Sequence, residues 1–281
     1  MPEGDTVFRT ARALHRAFAG HRLTASDLRV PQLAPVDLAG WMVLESASRG
    51  KRLLLRMQPP DGGRAMTLHS RLGMDGSWRV YAIGERWQAR SRHLIRAVVR
   101  TADAVAVGYQ LGQLALVPTG EEAGLVGHLG PDLLGPGWDP DEAVRRLAGH
   151  PAAGIGEALR DQRNLAGIGN VYCCELLFLR GIWPWTPVGQ VPDLPALVGL
   201  AHRLLSANRT RPVRSTTGSL RRGEATYVYG RAGAPCRRCG TRIEAQEQAE
   251  RVAYWCPTCQ PVASAGRAGP AGHQPEVRRS P

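Results

Sequence analysis

Four cysteines near the end of the chain, Cys236, Cys239, Cys256 and Cys259, follow the pattern C-x2-C-x16-C-x2-C, which limits the local fold more than any other feature. Each pair can place two thiolates on one turn, and the stretch between the pairs suits a hairpin that closes a tetrahedron around one structural zinc. Four thiolates leave no open coordination position, so such a metal supports the fold and not the chemistry. Unmetallated or redox-active cysteines are the alternative reading. The remaining two of the six cysteines, Cys173 and Cys174, sit in an apolar helical stretch and read as core. Six cysteines in 281 residues do not make a secreted disulfide framework.

The formal net charge of +12 points to a polyanionic partner, with nucleic acid the commonest. The excess is local: nine arginines between Arg203 and Arg238 face one acid, Glu224. Such a cluster can neutralise several phosphates, or it is a solvated basic face. Among 36 basic residues only Lys51 is a lysine. Where arginine serves for nearly every plain cation, a surviving lysine is a candidate for what arginine cannot do, which is to exchange a proton or act as an amine. Chance survival is the other reading.

From Asp5 the residues Val7, Phe8, Ala11, Leu14 and Phe18 recur at helical spacing. Short apolar segments follow at Trp41–Ser46, Arg52–Met57, Ala65–His69, Ser77–Ala82, His93–Thr101, Ala104–Tyr109 and Gln113–Val117, with Gly or Pro between them. They predict an antiparallel sandwich or barrel ending near Gly130. After a Gly/Pro-rich linker, four helices are expected at Asp141–Ala148, Ile155–Asp161, Val171–Arg180 and Leu194–Ala207. The stretch from Pro261 to Pro281 has no periodic apolar face and is expected to be disordered. No apolar run is long enough for a membrane span and no signal peptide is evident, which makes a cytoplasmic protein the expectation.

Two further motifs bear on chemistry. Asn164 to Asn170 (NLAGIGN) is a glycine-punctuated turn in which Asn170 is expected to cap the next helix. Amides at such a helix start can hold a phosphate, although a purely structural turn fits equally well. Met1-Pro2-Glu3-Gly4 precedes the first helix directly. Methionine aminopeptidase normally removes Met1 before proline, leaving a secondary amine at Pro2. An α-amino group has a pKa of roughly 7.7 to 8 and is far more often neutral near pH 7 than lysine. The helix dipole favours the neutral form further, and Glu3 supplies a carboxyl group able to move a proton.

Together these residues resemble the formamidopyrimidine-DNA glycosylase and endonuclease VIII family, up to about Gln260. The matching motifs are Met1 to Gly4, Gly50 to Leu55 (GKRLLL), Asn164 to Phe178 with its GIGNVY core, and Val228 to Arg231 (VYGR) leading into the cysteines. The resemblance implies an α+β protein in four parts: a catalytic β-sandwich with an N-terminal helix (1–130), a helix-two-turn-helix domain (131–225), a zinc hairpin (226–261) and a disordered tail (262–281).

It implies a monomeric DNA glycosylase and abasic-site lyase of base excision repair, acting on double-stranded DNA with a damaged base or abasic site, with one structural zinc. Pro2 would be the nucleophile, Glu3 the proton donor to the opening sugar, and Lys51 a proton-transfer and phosphate group. Asn170, Arg231 and Arg251 would contact DNA, and Arg251 would also serve catalysis through the phosphate it holds. Met74 falls where the family carries a wedge for the hole left by the extruded base, or is a core methionine. His128 stands where relatives carry an arginine near DNA. The start Pro-Glu-Gly and the short Thr217–Val228 stretch favour oxidised pyrimidines. Thr6, where both major branches usually carry glutamate, departs from the pattern and puts close transfer of specificity in doubt. A formamidopyrimidine/8-oxoguanine glycosylase and a catalytically silent zinc-dependent DNA-binding protein are the alternatives.

Overall fold

The computed structural model describes residues 2–87 and 92–262. Helix α1 (Gly4–Phe18) turns Val7, Ala11, Leu14 and Phe18 to one side, all buried, as their spacing of three or four residues requires. Eight strands follow: β1 (Ala25–Leu28), β2 (Met42–Arg49), β3 (Arg52–Gln58), β4 (Met66–Arg71), β5 (Ser77–Ala82), β6 (Ile95–Arg100), β7 (Ala104–Tyr109) and β8 (Gln113–Pro118). They form two antiparallel four-stranded sheets, ordered β2-β3-β4-β8 and β1-β6-β7-β5. One core unites the apolar stripe of α1 with Leu53, Leu55 and Leu68 of the first sheet and Ala97, Val99 and Ala106 of the second. Strand β1 was not expected, because Ala25-Ser-Asp-Leu28 has no alternating apolar pattern and is held by backbone pairing with β6.

The second part contains a short turn of helix, α2 (Ala123–Val126), and four helices, α3 (Pro140–Ala148), α4 (Ile155–Arg160), α5 (Asn170–Arg180) and α6 (Leu194–Asn208). Asp139 caps α3 by accepting from the Glu142 amide at 2.9 Å, and Asp193 caps α6 through the Ala196 amide at 2.9 Å, each with proline in the first helical turn. Their core includes Leu147, Ile155, Leu159, Leu176, Leu197 and Leu205. Strands β9 (Glu244–Gln248) and β10 (Arg251–Trp255) then form the hairpin between the cysteine pairs. It packs through Ile243 and Cys256 on Cys174 and Phe178 of α5. Of the tail expected to be disordered, residues 263–281 lie outside the described residues.

Two glycine contacts bring the parts together. The Gly4 amide donates to Gly167 O at 2.9 Å, and a Cβ on Gly4 would lie 2.9 Å from Gly167 Cα. Gly50, in the β2–β3 turn at φ +56°, donates to Asp132 Oδ2 at 2.8 Å. The approach at Gly4 leaves no room for a side chain, and the left-handed φ of Gly50 favours glycine there.

Candidate active site and nucleic-acid interface

Glu3 is fully buried, yet it has no partner within its own helix. Its carboxylate accepts from the backbone amides of Gly169 at 2.7 Å and Val171 at 2.8 Å, with Tyr172 N at 3.4 Å. These are the amides of the N-cap and first turn of α5, and the N-cap, Gly169, has no side chain to satisfy them. The charge of Glu3 thus sits on the positive end of that helix. A Cβ on Gly169 would lie 2.5 Å from Glu3 Cδ, so glycine is required for the approach.

Asn170 does not cap α5, contrary to the expectation from sequence. It occupies the first helical position, where its Oδ1 accepts from Arg160 at 3.1 Å and its Nδ2 donates to Val252 O of the zinc hairpin at 2.7 Å. Arg160 also donates to Gln248 O at 3.0 Å and Gln248 Oε1 at 3.2 Å, fixing the hairpin against α4.

The β2–β3 turn delivers Lys51 to a cavity of about 540 Å³ that it shares with Arg71, His128, Arg160, Asn170 and Arg251. Burial pushes the Lys51 ammonium down to about 8; Glu3 opposes this and Arg251 and Arg71 add to it. Arg52 and Arg71 stand directly opposite each other on β3 and β4 and line the same cavity. Like charges in that position are unfavourable alone and suited to a polyanion.

Pro2 opens onto a neighbouring cavity of about 560 Å³, lined also by Thr6, Arg9, Met74, Val213 and Arg214. Met74 is half exposed (51%) in the turn between β4 and β5, which removes the core alternative. Its sulfur accepts from Arg251 Nη1 at 3.4 Å, so the turn and the zinc hairpin meet between the two cavities. Arg231 lines neither cavity described. It donates to the carbonyls of Tyr227 and, at 2.8 Å, Pro235, bracing the loop before the cysteines.

The four cysteine sulfurs lie within 4.8 Å of one another, with separations of 3.9 Å (Cys236–Cys259) and 3.5 Å (Cys239–Cys256 and Cys239–Cys259). A tetrahedral zinc with Zn–S bonds of about 2.3 Å sets its sulfurs about 3.8 Å apart, so this donor set fits the ion.

Several residues at the site were not singled out from sequence. Asp5, also fully buried, accepts from Arg214 and from the Tyr172 hydroxyl at 3.2 Å. Glu175, an acid inside the apolar run of α5, accepts from the amides of Tyr227, Val228 and Tyr229 at 2.7, 2.8 and 2.9 Å and from the Thr216 hydroxyl. It ties both ends of the 216–229 segment to the helix that Glu3 caps. A charge within an apolar helix is the signal that could have found it.

Residues 1–110 match the formamidopyrimidine-DNA glycosylase N-terminal domain, and residues 233–262 match the zinc finger found in FPG and IleRS. The chain is 55% identical to the "Probable endonuclease 8 2" of Streptomyces coelicolor, over 96% of this chain and 95% of that protein. It is 50% identical to the "DNA-(apurinic or apyrimidinic site) lyase Nei2" of Mycolicibacterium smegmatis (92% and 99%), and 33% identical to the endonuclease 8 of Escherichia coli (92% and 100%). A Lactococcus lactis Fpg in complex with abasic-site DNA superposes with a TM-score of 0.75 at 23% identity, over 93% of this chain and 100% of that one. The α+β fold and the four-cysteine zinc module anticipated from sequence are those of these relatives. With a buried carboxylate at the start of α5, a lysine of lowered pKa beside it and identities of this extent, the chain belongs to the formamidopyrimidine-DNA glycosylase and endonuclease 8 family.

Proposed function

We propose that the chain is a bifunctional DNA glycosylase and abasic-site lyase that removes oxidised pyrimidines, with the amine of Pro2 as nucleophile. The observation that carries this reading is the placement of Pro2 and Lys51 on two cavities that meet at the Met74–Arg251 contact, with the buried Glu3 carboxylate close enough to Lys51 to oppose the fall of its pKa to about 8. On this reading residues 1–130 carry the chemistry, while 131–225 and 226–261 hold the DNA backbone. Asn170 and Arg251 would take phosphates in the cavity they share with Lys51, and Met74 would fill the space left by the extruded base. His128 lines the same cavity and would add a further backbone contact. Arg231 would act on DNA only through the loop that it braces.

The Pro2 lone pair forms a bond to C1′ as the glycosidic bond breaks and its electron pair leaves with the base. The N–H proton that the nitrogen gives up passes to the Glu3 carboxylate, which hands it to the ring oxygen as the sugar opens and the nitrogen becomes an iminium. Loss of a C2′ proton then expels the 3′ phosphate, and loss of a C4′ proton expels the 5′ phosphate. Lys51, near half-titration at about 8, can take and return protons without leaving the backbone. The zinc, held by Cys236, Cys239, Cys256 and Cys259, supplies rigidity to the hairpin that carries Arg251.

Borohydride should trap the enzyme on duplexes with an oxidised pyrimidine, and the adduct should map to the N-terminal peptide. Lys51 is the one rival side-chain amine. An adduct on Lys51, or full activity with Met1 retained, would overturn the nucleophile. A stronger reaction with 8-oxoguanine would overturn the pyrimidine preference, and binding without any cleavage would overturn the enzyme.

A further inference from the structure

The segment that follows α6 lies along the outward side of the first helix. Arg209 stacks over the Phe8 ring at 5.8 Å, Arg9 donates to Arg211 O at 2.5 Å, and Asn208 holds Ser215 by two hydrogen bonds of 2.8 and 3.0 Å. From this segment the Arg214 side chain, only 16% exposed, reaches the start of α1. Its Nε donates to Asp5 Oδ2 at 2.9 Å and its Nη2 to Asp5 Oδ1 at 2.6 Å and to Thr6 Oγ1 at 3.1 Å. Its Nη1 stands 3.9 Å from Glu3 Oε1, and its guanidinium lies 5.0 Å from the centre of the Tyr172 ring. Arg214 also lines the cavity that contains Pro2.

We propose that Arg214 is a positioning residue for the nucleophile, acting through Asp5. A chain terminus frays unless something ties it down. Here Glu3 is fixed by the amides of α5, Gly4 by Gly167 O, and Asp5 by one neutral hydroxyl of α5, that of Tyr172 at 3.2 Å. The two-pronged bond from Arg214 adds a charged clamp on Asp5, and a planar fork against a carboxylate sets direction as well as distance. Pro2 projects from that turn. An attack on C1′ needs the nitrogen in line within a fraction of an ångström, and a misplacement of about 1 Å costs on the order of a hundredfold.

The charges facing the Pro2 cavity are Arg9, Asp75 and Arg214, with Glu3 and Asp5 buried behind them. A cation lining the same cavity also favours the neutral amine, because it disfavours a second positive charge. Neutralising Arg214 leaves the Asp5 charge without its counter-ion. Both changes raise the amine pKa, so the pH profile should move upward.

This inference rests on Pro2 being the nucleophile. The test is single-turnover borohydride trapping on a preformed abasic-site duplex at saturating enzyme, with DNA affinity and circular dichroism measured alongside. Arg214→Gln is expected to trap about a hundredfold more slowly, with its affinity within about threefold of wild type and its pH profile shifted up by about half a unit. Arg214→Lys, which keeps the charge but not the fork, should recover to within about tenfold and keep the wild-type profile. Should Arg214→Gln fail to fold, the double variant Asp5→Asn/Arg214→Gln removes both buried charges together, a change such pairs usually tolerate. It too should trap at least tenfold more slowly. A folded variant that traps at the wild-type rate, or one in which affinity falls as far as trapping, overturns the proposal. If the wild-type protein forms no adduct on Pro2, both the proposal and the function on which it rests fall.

Discussion

Replacing Gly169 with alanine tests the link between the Glu3 carboxylate and the helix that holds it. The new Cβ would lie 2.5 Å from Glu3 Cδ and 2.7 Å from both Cγ and Oε1. Ordinary carbon contacts need about 3.5 Å, so the Glu3 side chain must recoil by about 1 Å. That displacement breaks the bonds to the amides of Gly169 and Val171, now 2.7 and 2.8 Å long. Hydrogen bonds to a charged group contribute about 1.5–3 kcal/mol each, so about 3–6 kcal/mol is at stake. The melting temperature should fall by about 10 °C. Cleavage of an abasic-site duplex in single turnover should slow by about a hundredfold, because Glu3 no longer reaches the sugar in line. Gly120→Ala, where an added Cβ meets nothing within 4 Å, is the control and should match wild type in both measurements. A Gly169→Ala protein with wild-type melting and wild-type cleavage would refute the reasoning.

Lys51→Arg should lose at least tenfold in abasic-site cleavage and little in DNA affinity, since arginine keeps the charge and gives up proton exchange. In the wild type, affinity should weaken as pH rises through about 8 and Lys51 loses its charge; an identical pH dependence in Lys51→Arg would contradict this. Cys256→Ser should abolish zinc binding by metal analysis and weaken DNA affinity by at least tenfold, because Cys256 is both a ligand and part of the packing on α5; undiminished zinc content would refute it. His69 is fully buried with neither ring nitrogen hydrogen-bonded, and burial, aided by Arg52 and Arg71, lowers its pKa to about 4. A folded-state pKa below the ordinary 6.5 means that protonation favours the unfolded chain, so stability should drop by up to about 3 kcal/mol as pH falls from 6.5 towards 4. His69→Phe should flatten that acid limb in denaturant titrations, and an unchanged slope would count against it.

The features legible in the sequence are those in which local spacing carries the physics. Zinc ligation imposes C-x2-C pairs, α1 shows its buried stripe, and β5 and β7 appear at their observed limits because they are rich in apolar and aromatic residues and bounded by turns. What escaped is held by partners far along the chain. Asn170 looked like a cap because caps are normally supplied by a neighbouring side chain; the group that satisfies α5 is Glu3, 168 residues before Val171. Arg214 was one of nine arginines in a basic stretch, and nothing local distinguishes the one that turns inward. Asp132 likewise looks like an ordinary loop acid, although it accepts the Gly50 amide and is held above the usual carboxylate range by burial. Met74 was ambiguous between core and surface because the turn that exposes it is set by the sheet and not by its neighbours.

The bond between Glu3 and the first turn of α5 also sets a clock on synthesis. A ribosome adds about 5–20 residues per second, so the carboxylate leaves the exit tunnel roughly 8–34 s before its partner amides. During that interval the sandwich strands can pair, since the residues up to Pro118 are already present. Glu3 meanwhile remains in water, carrying a charge that no helix yet receives. The contact can form only when the middle of the chain returns to its beginning, and a nascent fragment released before Tyr172 would have the strands of the sandwich without the helix start that receives Glu3.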